Sequence, residues 1–242
     1  MQSAALIFAG GTGARMTSRT RPKQFLELNG KPIIIHTLEY FEDSERIDFI
    51  CVVCLDGWID HLKGLLSRYG ITKVKYIVPG GQTGQDSIFN GIKATYEDTE
   101  KPEDCLVLMH DGVRPLISLQ LIRDCISCAE ENGNAVTVTR AWETIITVDE
   151  TENIDDVIDR SRVRLARAPQ CFRLDEIYKA HIDARREGYT EAIDSATLMR
   201  HYGKQLFTVE GPAENIKITT AADFYMARAI MEARENSQIL GL

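Results

Sequence analysis

The sequence predicts an α/β fold: a mainly parallel, doubly wound sheet with a projecting β-arm. Three observations carry that expectation. Short apolar, β-branched runs alternate with stretches of helical periodicity, the pattern of parallel strands that need a helical crossover between neighbours. The chain of 242 residues with 44% hydrophobic content is long enough to bury one large core. Between Trp142 and Arg167 the pattern changes to short β segments around an acidic polar turn, which reads as an arm leaving that core.

In chain order, apolar runs predict strands near residues 4–8, 48–55, 74–78, 105–109 and 135–139. Helical periodicity between them predicts helices near 32–43, 57–69, 86–97 and 118–132. An arm at about 140–167 follows, built from Thr144-Ile-Ile-Thr-Val148 and Asp156-Val-Ile-Asp159, and is expected to pair with a second subunit. Helices near 174–187, 194–202 and 221–235 and a late strand at Gln205–Val209 complete the chain. No internal repeat, low-complexity tract or linker interrupts it, so a single domain over 1–242 is expected.

A formal net charge of -8 argues against a nucleic-acid-coating or membrane-surface role. The N-terminus lacks the regions of a signal peptide, and no apolar run approaches the roughly 20 residues of a spanning helix. A cytoplasmic protein is expected. Six cysteines include Cys51-x-x-Cys54 and Cys125-x-x-Cys128, which imitate the halves of a zinc site. Residues three apart on a strand point to opposite faces, so Cys51 and Cys54 are expected to pack in the core rather than share an ion.

The stretch from Leu6 to Lys23 runs an apolar strand into a glycine-rich loop loaded with cations. Gly10, Gly11 and Gly13 let bare N–H groups approach phosphate oxygens, and Arg15, Arg19, Arg21 and Lys23 supply charge. Neither G-x-G-x-x-G nor the P-loop pattern ending in Gly-Lys-Ser/Thr is met, which argues against a dehydrogenase or a P-loop kinase. Ligands of doubly wound sheets bind beyond the carboxyl ends of the strands. That rule collects this loop, Pro79-Gly80-Gly81-Gln82 and His110-Asp-Gly-Val-Arg-Pro115 into one nucleotide triphosphate cleft. Asp111, where a strand gives way to a tight turn, suits magnesium held by one carboxylate plus nucleotide phosphates. Arg114 would orient that turn or contact substrate, and His110 reads as a packed residue.

Ala9-Gly-Gly-Thr-Gly-Ala-Arg-Met16, Pro22-Lys-Gln-Phe25, His110-Asp-Gly-Val-Arg-Pro115, Ala168-Pro-Gln-Cys-Phe172 and Asn215-Ile-Lys-Ile-Thr-Thr220 occur in this order. With these five motifs the chain resembles the methylerythritol phosphate and ribitol phosphate cytidylyltransferases along nearly its whole length. The resemblance implies a Rossmann-like nucleotidyltransferase fold, CTP, magnesium and a homodimer joined by the arm. Under it, Ala9, Gly10, Gly11, Thr12 and Gly13 form the nucleotide loop, and Arg15, Lys23 and Lys217 stabilise charge at the α-phosphorus. Asp111 holds magnesium, and Gly81, Gln82 and Ser87 line the cytosine and ribose pocket. Thr144 and Arg160 from the arm touch the acceptor's phosphate across the dimer. Lys217 takes its role from the Asn215-Ile-Lys-Ile-Thr motif alone.

Three positions depart from the family's pattern. Ala168 stands where Thr-Pro-Gln is usual, Ile193 where Thr-Asp is usual, and Gly84 where an arginine is usual. Each removes a polar group near the expected pocket, which weakens recognition of methylerythritol hydroxyls. The segment Pro22 to Thr37 looks more like the ribitol phosphate branch, which serves wall or capsule polymers. The expected acceptor is therefore ribitol 5-phosphate, with 2-C-methyl-D-erythritol 4-phosphate as the alternative. A sugar-phosphate nucleotidyltransferase using another base and a nucleotide-binding protein without turnover are the rival classes.

Overall fold

The computed structural model describes residues 1–11 and 21–240. In chain order the elements are β1 (Gln2–Ala9), β2 (Glu27–Leu28), β3 (Lys31–Pro32), α1 (Ile33–Glu42), β4 (Phe49–Cys54), α2 (Ile59–Tyr69), β5 (Val74–Pro79), α3 (Gly84–Glu97), β6 (Cys105–Asp111), α4 (Leu119–Asn132) and β7 (Asn134–Arg140). Then come β8 (Ile145–Val148), β9 (Ile154–Ile158), β10 (Arg164–Arg173), α5 (Leu174–Glu187), α6 (Ser195–His201), β11 (Thr208–Glu210) and α7 (Ala221–Leu240). The main sheet has seven strands in the order β11-β7-β10-β6-β1-β4-β5.

The pairs β6–β1, β1–β4, β4–β5 and β11–β7 are parallel. Strands β1, β4 and β6 are apolar almost throughout because helices cover both faces of the sheet. On one face Ile34, Leu38 and Phe41 of α1, Leu62 and Leu66 of α2, and Leu121, Ile122 and Ile126 of α4 pack together. On the other, Ile92 of α3, Ile177 of α5 and Leu198 and Met199 of α6 do so. Cys54 belongs to the first core and Cys51 to the second, as the strand period requires. Burial pushes their thiols up, to about 11 for Cys54 and about 12 for Cys51.

Strand β10 is the one long element missing from the sequence reading. It runs antiparallel between β6 and β7. Its sequence, with Arg164, Arg167 and Arg173 set among small residues and Pro169 inside it, has no strand signature. Proline cannot donate to a ladder and sits in sheets at edges or bulges. The ladder to β7 shifts register between Ala166 and Gln170, the stretch that holds Pro169. The late strand begins at Thr208 rather than Gln205 because the Asn134 side chain takes the place of ladder partners before it. Asn134 donates to the Gln205 carbonyl (2.9 Å) and accepts from the Phe207 N–H (3.0 Å). The arm is the two-stranded β8–β9 hairpin, apart from the main sheet.

Candidate active site

From β1 the chain steps outward through β4 to β5, then returns to β6 on the other side of β1. The carboxyl ends of β1 and β6 therefore flank a topological switch point, where open α/β sheets bind ligands. A cleft of about 670 Å³ opens there. Its β1–β5 side is rich in glycine, with Gly10, Gly11, Gly81 and Gly84 in its lining. Gly10 and Gly80 stand so close that a Cβ on Gly10 would lie 3.6 Å from the Gly80 Cα. A Cβ on Gly81 would lie 2.1 Å from the Asp86 Cβ, so only glycine fits. Asp86 is itself fixed by a capping box with Thr83 at the start of α3 and by Arg185 at 2.7 Å.

The Ser87 hydroxyl accepts from the Gly81 N–H (3.0 Å) and donates to the Thr83 carbonyl (3.0 Å), holding the loop closed on itself. Buried Gln24 braces the other loop through its amide, 2.5 Å from the Ala9 carbonyl and 3.3 Å from that of Gly11. Ala9, Gly10, Gly11, Gly81, Gln82 and Ser87 all line the cleft. Thr12, Gly13 and Arg15 lie outside the described residues.

A charged cluster occupies the switch point. Asp111 ends β6, and a tight turn brings the Arg114 N–H to its carbonyl (3.1 Å). Gly112 allows the turn to press on β1, its N–H 2.8 Å from the Phe8 carbonyl. Asp111 Oδ2 accepts from Arg114 Nε and Oδ1 from Lys217 Nζ, each at 2.7 Å. Burial alone would raise the Asp111 carboxyl, but the charges of Lys217 and Arg114 outweigh it and hold it at about 2.

Lys217 arrives from far along the chain because its neighbours are anchored. Ile218 is buried with Leu28, Ile33 and Val113, and its N–H bonds the Val113 carbonyl (3.0 Å). Fully buried Asn215 donates to the Ala168 carbonyl (2.6 Å) and accepts from Arg114 Nη1 (3.0 Å) on its own carbonyl. Lys23 reaches the same place, with Nζ 2.9 Å from the Ile218 carbonyl. His110 is packed against Phe41 and bonded to the Arg114 carbonyl (3.1 Å). Burial pushes its imidazole down to about 4, too weak a base for work near neutrality.

The β6–β10 side holds residues that sequence reasoning did not assign. Arg167 lines the cleft. Gln170, with its amide, donates to Asp194 (2.9 Å) and accepts from the Ala196 N–H (2.9 Å), so it ties β10 to the start of α6. Asp194 also caps α6 through the Thr197 N–H (2.8 Å). In the sequence Ala168-Pro-Gln shows as a motif without its strand, and the signal that points to Arg167 is its place directly before that motif. Ile193, 89% exposed, lies at the cleft mouth. Thr144 and Arg160 are exposed and stand outside the cleft of their own chain, with Arg160 Nη1 on the Trp142 carbonyl (2.7 Å). Among the described residues no group of three or more His, Cys, Asp or Glu side chains could hold a metal by itself.

The family model for IspD, 2-C-methyl-D-erythritol 4-phosphate cytidylyltransferase, matches residues 3–233. The chain belongs to this family. It is an enzyme, a CTP-dependent nucleotidyltransferase. A ribitol-5-phosphate cytidylyltransferase of Streptococcus agalactiae serotype V is 49% identical over 242 residues, 100% of both chains. A 2-C-methyl-D-erythritol 4-phosphate cytidylyltransferase of Clostridium botulinum is 35% identical over 231 residues, 96% of this chain and 98% of its own. The crystal structure of 4-diphosphocytidyl-2C-methyl-D-erythritol synthase from Anaerococcus prevotii matches with a TM-score of 0.83 at 29% identity, over 96% of each chain. The Rossmann-like nucleotidyltransferase fold expected from the motifs is thus the fold of this protein's family.

Proposed function

We propose that this cytidylyltransferase moves CMP from CTP to ribitol 5-phosphate, releasing pyrophosphate. The observation that carries the chemistry is the Asp111–Lys217–Arg114 cluster, set between the glycine-lined side of the cleft and the β10 side. CTP would lie along Gly10, Gly11, Gly81 and Gln82, with the acceptor opposite. An acceptor phosphate oxygen attacks the α-phosphorus in line; the new O–P bond forms as the bond to the β-phosphate oxygen breaks. A phosphate dianion needs no general base, in keeping with the weakly basic His110 and the buried thiols. Catalysis then rests on positioning and on charge, with Lys23 and Lys217 offsetting negative charge at the α-phosphorus and Arg15 acting from the glycine loop.

Magnesium fits the donor set. One ionised carboxylate, Asp111, faces the cleft, and a hard ion held through one carboxylate, nucleotide oxygens and water needs no further protein ligand. When bound there it would neutralise charge on the triphosphate.

Ribitol 5-phosphate is favoured over methylerythritol phosphate by the full-length similarity to a ribitol-5-phosphate cytidylyltransferase. Ala168 and Ile193 support it, since neither brings a side-chain hydroxyl to the acceptor side. The product would feed wall or capsule polymers from a cytoplasmic enzyme, and no helix among the described residues is long and apolar enough to cross a membrane. A homodimer joined by the arm is supported by the exposed apolar Ile146, Val148, Ile154 and Val157 on a hairpin that is marginal alone. Thr144 and Arg160 would then reach the partner's acceptor. Pyrophosphate release with CTP and a panel of polyol phosphates tests the reading.

A further inference from the structure

The described residues lining the cleft include four cations, Lys23, Arg114, Arg167 and Lys217, and two carboxylates, Asp111 and Asp194. Neither carboxylate is partnered with Arg167. Asp111 pairs with Arg114 and Lys217, and Asp194 bonds Gln170 and caps α6. Arg167 has no carboxylate within ion-pair distance among the described residues, and its hydrogen-bond contact is a long one, Nε to the Thr139 hydroxyl at 3.5 Å. It is half-buried, and burial together with the charge of Arg114 pushes its guanidinium below the usual arginine range. A desolvated guanidinium held near another, with no counter-charge, is unfavourable unless an anion arrives.

The fold indicates which anion. The glycine loops that suit the triphosphate lie on the β1–β5 side, whereas Arg167 lies on β10, across β6 from them. A forked guanidinium matches a phosphate monoester with two parallel hydrogen bonds, a geometry that polyol hydroxyls do not offer. We propose that Arg167 binds the phosphate of the acceptor and sets the attacking oxygen against the α-phosphorus, from within the same chain. This rests on the reading of the acceptor as a polyol phosphate.

The test measures kcat and KM separately for CTP and for ribitol 5-phosphate in wild-type protein, Arg167→Ala and Arg167→Lys, with thermal unfolding as a check on folding. Arg167→Ala is expected to raise the acceptor KM tenfold or more with the CTP KM within twofold. Arg167→Lys should recover part of the loss, since the charge returns without the fork. An acceptor KM within twofold of wild type, or an equal rise in the CTP KM, overturns the proposal. The wild-type panel tests the acceptor by itself: if methylerythritol 4-phosphate is used instead, the ribitol reading fails and the Arg167 comparison is run with that monoester. If neither is used, calorimetric titration of orthophosphate onto the protein decides. A tenfold weaker Kd in Arg167→Ala supports the site, and an unchanged Kd removes it.

Discussion

Replacing Asp111 with asparagine removes one negative charge and keeps the side-chain shape. Its carboxyl is held at about 2 by Lys217 and Arg114, against an ordinary value near 3.9. At 1.36 kcal/mol per unit the difference is about 2–3 kcal/mol. Lys217 is partly in solvent, with 42% of its side chain exposed, so its share is screened and the expected loss near neutral pH is about 2 kcal/mol. A carboxyl depressed by folding stabilises the native state above its unfolded value, and that contribution disappears as pH falls through the folded value. The gap between wild type and Asp111→Asn should therefore be full at pH 7, shrink below about pH 4 and be nearly gone at pH 2. Urea unfolding followed by circular dichroism at pH 7, 5, 4 and 3 reads this, provided the denaturant slope is unchanged. A gap below about 0.5 kcal/mol at pH 7, or one that stays flat to pH 3, would refute the ion-pair account of the cluster.

Lys23→Ala should lower cytidylyl transfer by about 10²-fold or more while costing only about 1 kcal/mol of stability for the hydrogen bond to Ile218; near-normal turnover would take Lys23 out of the site. Chelation should abolish activity and added magnesium restore it if, as proposed, Asp111 and the nucleotide together supply the hard oxygen ligands; full turnover in metal-free buffer would sink the metal assignment. The double variant Ile154→Asp, Val157→Asp should sediment as a monomer if the arm is the dimer contact, and an unchanged mass would remove that role.

The central strands were legible because burial on both faces leaves them as continuous apolar runs, and the cysteine reading followed from the strand period that sends Cys51 and Cys54 into different cores. The glycine loops were legible because close backbone approach leaves no alternative residue at Gly81. Strand β10 was not, since its place is fixed by ladders to β6 and β7 rather than by its own propensity, and Pro169 masks it. Lys217 could be assigned only from a motif, because its meeting with Asp111 depends on the buried anchors Asn215 and Ile218. Arg167 escaped notice for the same reason: that no carboxylate among the described residues pairs with it is a property of the folded cleft.

Acceptor choice tests the account most directly, through kcat/KM for ribitol 5-phosphate and for 2-C-methyl-D-erythritol 4-phosphate at saturating CTP and magnesium. Ala168 and Ile193, which bring no side-chain hydroxyl to the cleft, predict that ribitol 5-phosphate wins by tenfold or more, about 1.4 kcal/mol in the transition state. A tenfold preference for methylerythritol 4-phosphate would contradict it.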